Sequence, residues 1–339
     1  MAVSDPARKT VRPRRPNGLA TGTIGGAVGV RMVIVGPGAM GLFFGVRLAV
    51  AGEEVVLYHP DPARVELLGC GVTLRDAAGE RRVAVPATAD PAVVGSADLV
   101  LFLVKSQNTA AAAGAIGPFL GLRTVLLTLQ NGLGSLEYLR AVFGDGRVLG
   151  GVTSQGATLL APDTVFHAGV GPTLVGIPAG QDEATAVLVE MLNGAGLEAA
   201  TVQDLEAARW DKLLVSVGIN ALTGLSGIPN GAVAGLPAAE EILRVAVAEA
   251  ERVARALGVQ IAPEPAQRAL AVARRTAANR SSMLQDLSRG RPTEVEAING
   301  AIVRLGRETG IATPANLVLC NLVRLREADL GKPGTESLT

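Results

Sequence analysis

The 339-residue sequence predicts an α/β fold, with a mostly parallel sheet in its N-terminal part and an all-helical C-terminal domain. Three observations predict it. Short β-branched runs alternate with helical segments between Arg31 and Thr153, the pattern of a parallel sheet built from crossovers. A glycine-rich turn, Gly36-Pro37-Gly38-Ala39-Met40-Gly41, joins the first such run to the first helical segment. From Asp204 onward, apolar residues recur with helical spacing almost without interruption.

The elements follow in order. Met32–Val35 is a β-branched run and predicts a strand. Ala39–Ala51 carries apolar residues at helical spacing and stops at Gly52. Val55–Tyr58 is the next strand, which completes a βαβ unit with a right-handed crossover. Leu99–Val104, Thr124–Leu129 and Val148–Thr153 read as buried strands, with Asn108–Leu120 and Gly134–Val142 as helical or irregular connections. Ala157–Leu160, Thr164–Ala168 and Thr173–Ile177 predict short strands that extend the same sheet in antiparallel fashion. Helices are predicted over Leu205–Leu225, Ala238–Leu257, Pro265–Ala278, Thr293–Thr309 and Ala315–Ala328. The polar tail Gly331–Thr339 is expected to fray. Residues 31–203 are thus expected to form the sheet domain and 204–330 the helical domain, with a ligand cleft between them at the carboxyl ends of the strands.

Composition narrows the function classes. Apolar residues make up 48% of the chain, enough for a large core, and aromatics only 3%, so aliphatic side chains must fill it. The 31 basic and 31 acidic residues balance, which argues against a nucleic-acid binder. Cys70 and Cys320 lie far apart and form neither a disulfide framework nor a zinc motif, which fits a reducing, cytoplasmic compartment. His59 and His167 are the only histidines, so no metal site is expected. Residues 1–30 superficially resemble a signal peptide, with five basic residues before a Gly/Ala-rich stretch. That stretch, however, runs directly into the strand the glycine turn needs, and its glycines would make a poor membrane helix. The expectation for residues 1–30 is a disordered extension, such as an upstream start codon would add. No other segment reaches the ~20 apolar residues of a membrane span.

In the turn, Gly36 would permit the tight bend, Gly38 a close approach of the backbone to a pyrophosphate, and Gly41 close packing of helix on strand. Pro37, Ala39 and Met40 complete the loop, and the helix that starts there offers free N–H groups to phosphate. Glycine spacing alone is a weak signal in a chain with 42 glycines. Flanked by a strand and a helix, it predicts a Rossmann-type, dinucleotide-binding domain. The end of the second strand reads Tyr58-His59-Pro60-Asp61-Pro62-Ala63-Arg64. Asp61 could bind the ribose hydroxyls of NAD, His59 or Arg64 could favour the 2′-phosphate of NADP, and Asp61 could equally just cap a helix that starts at Pro62.

Three further segments carry chemistry. Lys105 follows a buried strand, and Asn131, within Gln130-Asn131-Gly132, follows the next. Each could face a cofactor, but a solvated charge and an Asn-Gly turn would explain them as well. In the helix Trp210–Thr223, Lys212, Ser216 and Asn220 recur four residues apart and share one face, with a drift of ~40° per step. A lysine in such apolar company either snorkels to water or is held in a cleft. Then come Asn279-Arg280-Ser281-Ser282-Met283-Leu284-Gln285-Asp286 and the run Gly290–Gly300, which includes Thr293-Glu294 and Ile298-Asn299-Gly300.

These last two segments, together with the Lys212 helix, resemble the ketopantoate reductase (2-dehydropantoate 2-reductase) family, and the resemblance spans roughly residues 32–328. It implies reduction of 2-dehydropantoate to (R)-pantoate, on the route to pantothenate, with NADPH as the usual donor and NAD not excluded. By position it implies that Lys212 is the general acid and that Glu294 contacts the substrate hydroxyl near that lysine. Asn220 and Ser282 match substrate-binding positions, Asn131 the residue between nicotinamide and substrate, and Lys105 a cofactor-side lysine. Ser216 stands where many relatives carry Asn, which bears on substrate contacts. Pro60 stands where many carry an Arg that grips the 2′-phosphate, with Lys105, His59 or Arg64 as compensating candidates.

An ammonium at position 212 could both stabilise charge on a carbonyl oxygen and deliver a proton to it. Glu294 and Glu296, two apart on a helix, cannot both face the cleft, and Glu296 is expected at the surface. Arg280 and Arg291 are expected in surface ion pairs, and His167 in a sheet-edge hydrogen bond. Two other readings fit the same residues: a reductase of another 2-keto or 3-hydroxy acid, or a non-catalytic NADP(H)-binding sensor. The apolar helical domain could also support a homodimer.

Overall fold

The computed structural model describes residues 30–178 and 182–329. The extension expected before residue 30 and the tail expected at 331–339 lie outside the described residues. Val30, assigned to that extension from the sequence, is instead buried and belongs to the core.

The chain begins with β1 (Arg31–Val35), α1 (Ala39–Val50) and β2 (Glu54–Tyr58). After α2 (Pro62–Gly69) come β3 (Val72–Asp76), β4 (Gly79–Val83) and the short β5 (Ala87–Thr88). Then follow β6 (Leu99–Phe102), α3 (Thr109–Ile116), β7 (Val125–Thr128), α4 (Ser135–Phe143) and β8 (Val148–Thr153). β9 (Gly156–Ala161), β10 (Thr164–Gly169), β11 (Thr173–Gly176), α5 (Asp182–Gly194) and β12 (Ala199–Val202) complete the sheet region. The main sheet has eight strands in the order β12-β11-β8-β7-β6-β1-β2-β5. All its pairings are parallel except β8 with β11, where Thr173 lies opposite Thr153. Strand order reverses between β1 and β6, which opens a crevice at their carboxyl ends.

The antiparallel extension expected from residues 157–177 is therefore only partly present. β9 and β10 leave the main sheet and form a second, four-stranded sheet in the order β4-β3-β10-β9. The physical reason lies in α1. Its sequence, Ala-Met-Gly-Leu-Phe-Phe-Gly-Val-Arg-Leu-Ala-Val, is apolar nearly all round, so it must be covered on more than one side. The main sheet covers one face, and the second sheet covers another through Val72, Leu74 and Val165, all buried in the same core. His167 stacks on Phe43 there at 4.4 Å between ring centroids, and its Nε2 lies 2.8 Å from Gln155 Oε1.

The rest of the chain is helical: α6 (Leu205–Ser226), α7 (Asn230–Val233), α8 (Pro237–Ala256), α9 (Pro265–Arg275), α10 (Ser282–Ser288), α11 (Asn299–Thr309) and α12 (Pro314–Ala328). The long α6 is the axis of this region, with Leu213, Leu214, Val217, Ile219 and Leu222 in its core. It starts at Asp204, whose carboxylate accepts from Ala207 N–H, and ends at Gly227 in the left-handed region. The single helix expected over Thr293–Thr309 begins only at Asn299. Thr293 Oγ1 accepts from Val295 N–H, residues 295–297 form a 3₁₀ turn, and Ile298 leaves helical geometry at φ −106°, ψ −95°. Among the described residues no helix is long and apolar enough to cross a membrane, and no metal-ligating cluster of His, Cys, Asp and Glu is present.

Candidate active site

The glycine loop leaves β1 beside the reversal of strand order. Gly36 has φ +96°, and a Cβ there would lie 2.6 Å from Val104 N, so only glycine fits. A Cβ on Gly41 would lie 2.3 Å from the Gly36 carbonyl oxygen, which shows how closely helix and loop pack. A Cβ on Gly38 would instead meet no protein atom within 4 Å, so that face of the loop is open. No side chain caps α1, which starts at Ala39 and Met40. Its first N–H groups therefore have no side-chain acceptor, the condition in which a helix start can take a phosphate.

The ends of β6 and β7 are tied together next to the loop. Gln130 Nε2 donates to Val104 O (2.9 Å) and Thr109 Oγ1 (2.8 Å), while its Oε1 accepts from Thr128 Oγ1 (2.9 Å). That arrangement orients Asn131, the next residue. Gly132, with φ +79°, runs so close to the 294–298 segment that a Cβ would sit 2.3 Å from Ala297 O. Leu133 N–H donates to the same carbonyl at 2.9 Å. The turn thereby brings Asn131 against Glu294.

The central geometry is a chain of polar contacts across the cleft. Lys212 Nζ, on α6, donates to Asn131 Oδ1 at 2.6 Å. Asn131 Nδ2 donates to Glu294 Oε2 at 3.2 Å. Glu294, 7% exposed, also accepts from Ser106 N–H at 3.0 Å. Lys105 Nζ lies 3.7 Å from Glu294 and 2.6 Å from Asp286. Burial pushes the Lys212 ammonium down to about 8, against the opposing charge of Glu294. Lys105 goes the other way: it too is desolvated, but Glu294 and Asp286 together raise it. Burial raises the Asp286 carboxyl, with Lys105 opposing. The two lysines thus differ in what faces them, Lys212 a neutral amide and Lys105 two carboxylates.

Lys212, Ser216 and Asn220 are all half-buried along α6. One turn beyond Asn220, Thr223 Oγ1 bonds to Ser281 Oγ (2.7 Å), and Ser281 caps α10, so Ser282 opens the helix that packs on α6. Among the described residues, the side chains of Ser216, Asn220 and Ser282 have no hydrogen-bond partner. Asp211 faces elsewhere, in a bidentate pair with Arg268 (2.7 and 3.1 Å).

Several other residues fall outside this chain. Asp61 caps α2 through Ala63 N–H at 3.0 Å, as the helix-capping reading required. Glu296 is exposed and paired with Arg324 (2.6 and 2.7 Å); the reason is the surface course of the 3₁₀ turn rather than helical spacing. Arg280 and Arg291, expected in ion pairs, make none among the described residues. Arg280 donates to Ser288 Oγ at 2.8 Å, and Arg291 is exposed. Two contributors were quoted in the motifs without a role: Asp286, the last residue of the serine motif, and Gln130. Their signal was present, but a role for Asp286 needs Lys105, 181 residues away.

Known proteins resemble the chain over most of its length. A family model described as "Ketopantoate reductase PanE/ApbA" matches residues 32–180, and one described as "Ketopantoate reductase PanE/ApbA C terminal" matches 204–327. A 2-dehydropantoate 2-reductase of Halobacterium salinarum is 41% identical over 304 residues, covering 88% of this chain and all of that protein. One from Archaeoglobus fulgidus is 36% identical over 301 residues, covering 88% of this chain and 99% of that protein. The crystal structure of a PanE/ApbA family ketopantoate reductase from Ralstonia eutropha superposes with a TM-score of 0.82 at 34% identity, over 89% of this chain and all of that one. A D-mandelate dehydrogenase solved with NADH shares the fold at 24% identity and a TM-score of 0.83, over 89% of this chain and all of that one. With both of its halves matched and its relatives covered end to end, the chain belongs to the ketopantoate reductase family.

Proposed function

We propose that this chain reduces 2-dehydropantoate to (R)-pantoate with NADPH as donor, and that Lys212 is the general acid. The observation that carries this reading is the placement of Lys212. It is half-buried on α6, with its ammonium 2.6 Å from Asn131 at the carboxyl end of β7, beside the crevice where the glycine loop opens. Relatives named 2-dehydropantoate 2-reductase support the substrate. The open face at Gly38 and the uncapped start of α1 fit a dinucleotide pyrophosphate, held by Gly36, Pro37, Gly38, Ala39, Met40 and Gly41.

When bound, a reduced nicotinamide supplies the hydride that reaches the C2 carbonyl of the keto acid. Negative charge then builds on the carbonyl oxygen. Lys212 stabilises that charge and passes it a proton. With its value brought down to about 8, Lys212 is still mostly protonated at pH 7 yet gives up its proton more readily than an exposed lysine. Asn131 orients the ammonium and, through its other end, Glu294. Glu294 is positioned to accept a hydrogen bond from the substrate hydroxyl. Ser216, Asn220 and Ser282 have polar groups unused by the protein and suit the substrate carboxylate and hydroxyl. Lys105 serves the cofactor side while balancing Glu294 and Asp286. The same reading puts the protein in the cytoplasm, on the route to pantothenate.

A spectrophotometric assay of 2-dehydropantoate with NADPH and with NADH in parallel tests this. Oxidation of NADPH dependent on the keto acid is expected. Oxidation of neither cofactor, or turnover only with other 2-keto acids, would overturn the reading.

A further inference from the structure

We propose that Arg280, Arg289 and Arg291, which surround α10, form a positively charged rim that draws the anionic keto acid into the cleft. The proposal rests on the keto-acid reading above and adds residues that act on the approach of the substrate rather than on its chemistry.

Charge is balanced over the whole chain but not here. The sequence holds 31 basic and 31 acidic residues, yet from Arg274 to Arg291 it places five arginines and one acid, Asp286. That acid is already matched by Lys105 at 2.6 Å. Among the described residues none of the five arginines has an ion-pair partner. Deeper in the cleft the charges cancel: Lys105 and Lys212 stand against Asp286 and Glu294. The net field that meets an entering anion is therefore set by the rim.

α10 fixes where the rim charges sit. Ser282, Asp286 and Arg289 follow at steps of four and three residues, so they share one face of the helix and its C-cap. That face looks across the cleft at the sheet region. Asp286 reaches Lys105, and Arg289 Nη2 donates to the carbonyl of Leu159 in β9 at 2.9 Å. Ser282 is among the groups proposed for the substrate. Arg289 lies seven residues beyond it, ~10 Å along the axis at 1.5 Å per residue. That is about one Debye length at physiological salt, so its charge is felt at Ser282 in dilute buffer and is screened at high salt. Arg280 lies along the exposed side of α10, with Nη2 donating to Ser288 Oγ at 2.8 Å. Arg291 is tied back to α10 by its N–H on Asp286 O at 2.9 Å, and its guanidinium is exposed. The side-chain bonds of Arg280 and Arg289 go to neutral oxygens, so neither charge is cancelled within the protein.

The test is kcat/KM for 2-dehydropantoate at saturating NADPH, measured from about 0.01 to 1 M ionic strength, over which the Debye length falls from ~30 to ~3 Å. Wild type should lose kcat/KM as salt rises, through KM, with kcat level. The double variant Arg280→Gln, Arg289→Gln should start about 10-fold lower at low salt, the low end of what focused charge supplies. It should keep the wild-type kcat and lose most of the salt dependence. Arg280→Lys with Arg289→Lys keeps both charges but not the planar forks, and should behave as wild type. Arg291→Gln removes a side chain with no bond to lose, and should give a smaller loss of the same kind. Wild-type kcat/KM and salt dependence in the glutamine variants would overturn the proposal. So would an equal loss in the lysine variant, which would trace the effect to hydrogen bonds, or a loss that appears in kcat. A loss confined to NADPH affinity, followed by nicotinamide fluorescence, would assign the arginines to the cofactor and overturn it as well. If wild type turns over no keto acid, the reading above falls and this one with it.

Discussion

At Lys212 two effects oppose one another, and burial is the larger. The apolar face of α6 withdraws the ammonium from water, while Glu294, reached through Asn131, pulls the other way. The net result near 8 has a catalytic and a structural consequence. The proposed proton transfer uses the protonated form, so the rate should be level below about pH 8 and fall as pH rises through it. Stability carries the opposite sign. The folded-state value lies below the ordinary 10.5, so the unfolded chain binds the proton more tightly. The cost of the buried charge is thus fully present below about pH 8 and fades between about 8 and 10.5. Lys212→Met should accordingly melt at a higher temperature than wild type at pH 7, and the gain should shrink across that window. A variant that melts lower at pH 7 would show that the lysine contributes more through Asn131 than it costs by burial. The sequence marked Lys212 by its apolar neighbours and its four-residue spacing to Ser216 and Asn220. It could not show the shift, because that depends on Asn131 and Glu294, which fold against Lys212 from distant parts of the chain.

At the scale of elements, the site depends on where two loops touch. Gly132 permits the turn after β7 to lie against Ala297 O, and this contact sets Asn131 beside Glu294. Gly132→Ala would put a Cβ into that carbonyl at a φ of +79°, a strained position that costs about 1–3 kcal/mol for a residue with a side chain. We expect a lower Tm and a kcat reduced more than 10-fold on the order expected of a displaced catalytic group, with dinucleotide affinity retained. Wild-type kcat in this variant would show that the contact does not position the site. The sequence presented Gln130-Asn131-Gly132 as a turn or a site, and the structure shows the turn, with Asn131 between Lys212 and Glu294. Sequence periodicity failed at residues 293–298, where apolar spacing suggested helix. Thr293 and Ile298 break it by a side-chain bond and a dihedral change that spacing does not report. β9 and β10 were legible as strands, but their sheet was not. The clue was α1, apolar on too many sides to rest on one sheet alone.

At the scale of the molecule, α6 carries Lys212, Ser216 and Asn220, and its attachment to the sheet region sets their distance from the glycine loop. Arg209 contributes to that attachment, beside the packing of Leu205 on Gly150 and Gly176. It is 9% exposed and bonds to Glu137 of α4 (2.5 and 3.2 Å) and to Glu206 (2.9 Å). Those carboxylates hold Arg209 above the ordinary arginine value despite its burial. Breaking a buried pair by removing one partner costs about 3–5 kcal/mol, less where a partner is as exposed as Glu137 is here. Arg209→Ala should thus lower the urea midpoint and also raise KM for the keto acid, because α6 is no longer held against α4. A loss of stability with unchanged KM would confine Arg209 to a structural role. The division into a sheet region and a helical region was legible from periodicity, whereas this junction joins residues 72 apart and leaves no local signature.

The proton-transfer role of Lys212 is tested most directly by the pH dependence of NADPH oxidation with 2-dehydropantoate, measured in single turnovers for wild type and Lys212→Ala at equal cofactor occupancy. Wild type should show a rate that falls above about pH 8. Lys212→Ala should bind NADPH normally, lose about 10²- to 10⁴-fold in rate and lose the break near that pH. Retention of more than about a tenth of the wild-type rate, or an unchanged break in the variant, would contradict the role assigned to Lys212.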